Sequence, residues 1–214
     1  MTVGVAPVDA LRANSMGLAS AGFMMAFFGA AWWGWGVAGI RGTFPGETAV
    51  FFLVLACATI ILVGGGILLS RAASRLPHDP SPANRARSQA EGKRYGVTFG
   101  LVFGLEMAIV ALGGTLLNRT HHPAFVLPFV AIVVGVHFFP LARLFDVRPY
   151  YATGAFLVLA GVAVMLAVPI DTMIGNLRAW NALVGSLCAA TLWATGIYAL
   201  LRGRSFLKLA QGPG

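Results

Sequence analysis

Charge is scarce in this chain, and negative charge scarcest of all. Only seven of its 214 residues are Asp or Glu, charged residues of both signs make up 10%, and 58% are hydrophobic. Soluble domains carry about 25% charged residues, so a soluble domain is excluded. Cysteine is almost missing. Cys57 and Cys188 both fall deep within apolar runs, where small packing residues are expected rather than a disulfide. Those runs hold no lysine, which excludes a Schiff base of the retinal type. No second deep histidine stands opposite His137, so a bis-histidine haem is not expected. A Gly-x-Ser-x-Gly elbow, a paired-carboxylate motif, a His-Glu-x-x-His helix and a P-loop are all lacking. No cofactor and no bound metal are expected.

What is present is long apolar sequence. A hydrocarbon core about 30 Å thick is crossed by about 20 apolar residues in a helix. Six runs meet that length: Ser15 to Ile40, Thr48 to Ser70, Tyr95 to Leu117, Pro123 to Phe145, Tyr150 to Ile170 and Ala179 to Leu201. Alternation of period two is absent, which argues against a β-barrel. The expected fold is all-α, a polytopic bundle of six transmembrane helices. The first run continues through Trp32, Trp33 and Trp35. It outlasts the apolar region of a secretory signal, about 7–15 residues, and reads as a retained helix.

The net charge of +8 is distributed along the chain in a way that argues against nucleic acid. With alternating spans, twelve of the fifteen Lys and Arg fall on one side. Only Arg41, Arg119 and Arg178 fall on the other. The positive-inside rule then puts both termini in the cytoplasm, with the basic side against anionic lipid of the bilayer. The division expected is a flexible tail over 1–14, a transmembrane domain over 15–201 with a basic cytoplasmic loop at 71–94, and a cytoplasmic tail over 202–214. Within that loop Leu76-Pro77-His78-Asp79-Pro80 reads as a turn. Ser81-Pro82 reads as an N-cap and first helical residue of a helix that runs on into the third span. Arg85, Arg87, Lys93 and Arg94 are its lipid-facing basic residues, and Glu91 is spaced to meet Arg87 and Arg94.

In lipid, helices associate by close packing at small residues. Gly96, Gly100, Gly104 and Ala108 recur every four residues on the third span. They predict a central third helix, its glycine ridge pressed on a neighbour. Ala182, Ser186 and Ala190 form a similar row on the sixth span, and Ala30 and Gly34 a shorter one on the first. Trp32, Trp33, Trp35 and Trp180 are expected as anchors at the outer interface, and Tyr95, Tyr150 and Tyr151 at the inner one.

One acidic residue breaks the pattern. Glu106 lies near the middle of the third span, where a charged side chain costs at least about 2.5–3.5 kcal/mol on insertion scales. Such a carboxyl is either neutral or held charged by a partner, and it faces protein or water rather than lipid. At 100° per residue it points away from the glycine ridge, on a face shared with Phe99, Val102, Phe103, Ile109, Val110 and Gly113. His137 is the one histidine well inside a span, within about one or two turns of the same depth on the next helix, so a Glu106–His137 contact, direct or through water, is expected. The two groups pass a proton, meet a small solute, or simply pin one helix to the other. Pro140 cannot donate to the carbonyl of Val136 and is expected to act as a hinge. His121 and His122 read as polar loop rather than a zinc site, which wants four ligands.

The segment His137-Phe138-Phe139-Pro140-Leu141-Ala142-Arg143-Leu144-Phe145, followed by Arg148-Pro149-Tyr150-Tyr151, resembles a stretch in uncharacterised bacterial multi-helix membrane proteins. These carry His-Phe-x-Pro-Leu-Ala-x-x-Phe at the end of a middle helix. The likeness covers about fifteen residues. It implies a bacterial inner-membrane protein and adds weight to His137, Pro140 and Phe145, but it supplies no substrate.

Three functions remain open. The first is a small proton-linked transporter or sensor centred on Glu106 and His137. The second is a non-catalytic scaffold or subunit that meets a membrane partner, or a second copy, through its small residues. The third, an intramembrane enzyme using His137, has no recognisable catalytic set to support it.

Overall fold

A computed structural model describes residues 8–37, 46–77 and 81–211, apart from the side chains of 83–85, 87, 88 and 91. The chain is an all-α polytopic bundle. Its helices are α1 (Val8–Val37), α2 (Glu47–Ser74), α3 (Pro82–Arg119), α4 (Val126–Phe145), α5 (Pro149–Ala167) and α6 (Ala179–Gln211). All six are long and apolar enough to cross a membrane. A 3-10 turn (Pro123–Phe125) precedes α4, and a two-residue antiparallel pair joins α5 to α6, β1 (Met173–Ile174) with β2 (Leu177–Arg178). Gly175, at φ 59, supplies the left-handed backbone that so tight a turn needs.

Several boundaries differ from the sequence reading. Residues 8–14, expected as tail, already belong to α1, and residues 202–211 continue α6. The helix begun at Pro82 runs unbroken into the third span. Its 38 residues span about 57 Å at about 1.5 Å each, nearly twice a hydrocarbon core, so its basic start extends beyond the membrane. Ile40, Arg41 and His78 to Pro80 lie outside the described residues, as do the side chains of Arg85, Arg87 and Glu91. Lys93 and Arg94 are exposed.

The centre of the bundle is α6, not α3. α6 packs on α1, α2, α4 and α5, whereas α3 makes its substantial contacts with α4 and the turn before it. The α1–α6 seam is built on glycines spaced by seven. Leu200 lies over Gly22, Trp193 over Gly29, and Gly36 meets the backbone of Gly185. A Cβ on Gly36 would stand 2.6 Å from the Cα of Gly185, so neither position tolerates a side chain without separating the helices. Gly135 of α4 and Gly154 of α5 make a second such crossing, each facing the other's carbonyl.

The small residues singled out from the sequence behave differently. A Cβ on Gly96, Gly100 or Gly104 would meet nothing within 4 Å, and Ala108 is exposed. The ridge is open, and the expected central position of α3 is corrected. Gly34 is equally open. Spacing by four shows that a helix can be approached closely, but whether a partner exists within the chain depends on tertiary arrangement. Three expected interface anchors are core residues. Tyr150 is buried among residues of α4, α5 and α6. Trp32 and Trp180 are buried, and the indole of Trp180 donates to the carbonyl of Val168 at 2.9 Å.

Candidate functional site

Glu106 is brought to α4 by one face of α3. Residues 95, 99, 103, 106, 110 and 113 recur at intervals of three and four, the spacing of a single helix face. Tyr95 and Phe99 meet Phe145, with ring centroids 6.2 and 6.3 Å apart. Phe103 meets His137 edge to face at 6.3 Å. Phe129 covers Gly113. Glu106 falls between these apolar contacts, and Ile109, expected on this face, is 41% exposed.

His137 points from α4 to meet it. Its Nδ1 lies 2.9 Å from Oε2 of Glu106, and each side chain is only 7% exposed. The carboxyl is therefore covered by protein although α3 is peripheral. The separation is that of an ion pair, yet Nδ1 makes no well-aligned hydrogen bond. A modest turn of the imidazole about its χ2 angle, a soft torsion, aims its N–H at the carboxylate. Phe103 and Phe138 flank the ring, both at 6.3 Å, so the pair sits among aromatic walls.

The contact of Tyr95 with Phe145 sets the register of the two helices. Glu106 is eleven residues from Tyr95 and His137 eight from Phe145, about 16 and 12 Å along their axes at about 1.5 Å per residue. Both lie near the middle of a core about 30 Å thick. Pro140 is one turn beyond His137, within a helix that stays continuous to Phe145. Asp146, left-handed at φ 52, then ends the helix and donates its N–H to the carbonyl of Ala142.

The basic end is assembled by packing. Ser15 Oγ donates to Leu11 and, at 3.4 Å, to the carbonyl of Gly203, while Leu69 lies over Gly203. The start of α1, the end of α2 and the end of α6 therefore share one end of the bundle. At the opposite end a cleft of about 250 Å³ is lined by Trp35, Asn118, Pro123, Val126, Leu127 and Asn181. Neither Glu106 nor His137 lines it.

One polar contact escaped the sequence reading. Thr153 and Thr195 join α5 to α6 through hydroxyls 2.7 Å apart, both buried. Each hydroxyl also lies within hydrogen-bonding distance of the carbonyl four residues back, so one donates across the pair and the other to its own helix. Threonines in helices usually satisfy themselves in that way, so nothing in the sequence distinguishes this pair. No protein-family model, no curated protein and no solved structure matches the chain.

Proposed function

We propose that the protein is a small proton-linked transporter or sensor of the bacterial inner membrane, with Glu106 and His137 as its proton-handling centre. The observation that carries this reading is the 2.9 Å approach of a carboxyl and an imidazole at mid-membrane depth, both 7% exposed. An ionisable residue in that position is costly, and such residues characteristically mark proton or solute pathways. Glu106 takes up and releases the proton, and His137 holds or relays it through Nδ1. The pair lies in a seam between two helices, away from the cleft at the opposite end of the bundle. The basic end, by the positive-inside rule, faces the cytoplasm, where it meets anionic lipid.

The test is proton movement in proteoliposomes carrying an entrapped pH dye, alongside acid-induced tryptophan fluorescence change. A flux lost in Glu106→Gln supports a transporter. Absence of flux with a fluorescence change lost in that variant supports a sensor. A variant that matches the native protein in both measurements overturns the proposal.

A second reading has its own support. The ridge of Gly96, Gly100, Gly104 and Ala108 is open, and such ridges serve helix association in membranes. In that reading the protein is a non-catalytic subunit and Glu106–His137 only pins α3 to α4.

A further inference from the structure

We propose that α3 is a proton-released arm. It is clamped to the bundle by Glu106–His137 and pivots at its far end when the clamp takes up a second proton. This rests on the proton-handling reading of the pair and adds to it the element that moves.

Three observations converge. First, α3 has one substantial helical neighbour, α4, whereas α6 has four. Second, among the described residues Glu106–His137 is the one polar side-chain contact joining α3 to α4. The rest of that seam is apolar, with Tyr95 and Phe99 against Phe145 at the near end and Phe129 over Gly113 at the far end. Only at the far end does the chain itself tie the two helices, through a short 3-10 turn that follows His121, left-handed at φ 62. Third, a built Cβ at Gly96, Gly100 or Gly104 on the outward side of α3 meets nothing within 4 Å, so among the described residues none packs on that ridge.

The chemistry gives the direction. With one shared proton the pair is net neutral and complementary, as a carboxylate facing an imidazolium or an acid facing an imidazole. A second proton leaves a carboxylic acid beside an imidazolium, an uncompensated cation in an aromatic seam. With the pivot at the far end the seam opens from its basic end, and water entering there meets the imidazolium. Other ionisable groups face this seam: His121 and His122 in the turn at the pivot and Asp146 at the end of α4, and the Glu106→Gln control separates their effect from that of the pair. Arg143 on α4 and Arg94 and Arg119 on α3 keep their charge throughout. Tyr150 on α5 and Cys188 on α6, in the core behind α4, are neutral phenol and thiol over the acid range.

The experiment is a spin-label distance between Leu101→Cys on α3 and Phe156→Cys on α5. Both sites are exposed, and Cys57 and Cys188 are replaced by alanine. The protein is reconstituted in lipid nanodiscs and measured at about pH 8 and about pH 5, either side of the ordinary histidine range. The expected result is a longer distance component that appears on acidification and vanishes in Glu106→Gln. A native distribution identical at both pH values overturns the arm, as does an acid shift that survives in Glu106→Gln. Should that variant misfold, His137→Gln takes its place, with the same loss of the acid component expected. Proton uptake at Glu106 without movement of α3 would remove the arm and leave the proton-handling reading standing.

Discussion

The seam between α1 and α6 and the seam between α3 and α4 hold helices together by opposite means. At the first, Gly22, Gly29 and Gly36 let a large ring or a bare backbone approach along three successive heptads. Binding there comes from contact density, which lipid cannot reproduce. At the second, side chains stay long and aromatic, the helix keeps a single neighbour, and an ionisable pair occupies the middle. The first arrangement has one geometry. The second, in the reading proposed above, has a strength that depends on where a proton sits. A membrane protein that must respond to protons needs both, a fixed frame and one contact whose energy changes.

Substitutions can break or sharpen this contrast, and their expected costs form a series. Gly185→Val should cost most, about 3 kcal/mol in a reversible unfolding titration, because the new side chain meets the backbone of Gly36 and cannot be relieved by rotamer change. Glu106→Ala should cost about 2 kcal/mol by leaving a buried imidazole without its partner. Glu106→Gln should cost distinctly less, since an amide still accepts from Nδ1. Thr153→Ala should cost about 0.6 kcal/mol, the average for a polar contact between membrane helices. Gly100→Leu should change stability by less than about 0.5 kcal/mol, because its side chain enters open space. A loss of oligomer mass or a large destabilisation in Gly100→Leu would instead mean that a partner covers the ridge, and would favour the subunit reading.

The spans were legible because a bilayer imposes length and apolarity on any crossing helix, and α2 or α5 could be read without knowing a neighbour. Glu106 and His137 were legible for the converse reason, since their cost in hydrocarbon makes them conspicuous and helical geometry fixes their depth and face. Packing was less so. The four-residue ridge of α3 drew attention away from the seven-residue glycine spacing of α1, although both are visible in the sequence. Only the arrangement of the helices reveals which is covered. Trp32, Tyr150 and Trp180 lie in the core rather than at an interface, because an amphipathic ring suits both places, and the indole of Trp180 finds its acceptor inside. Thr153 and Thr195 carry no sequence signal at all.

Infrared difference spectroscopy of the reconstituted native protein, taken through an acid titration, tests most directly whether the buried carboxyl changes its protonation. The account predicts a protonated-carboxyl stretching band that grows on acidification, shifts in deuterated buffer and is missing in Glu106→Gln. A titration in which native and Glu106→Gln spectra coincide would contradict it, leaving Glu106 and His137 as a fixed pin between two helices.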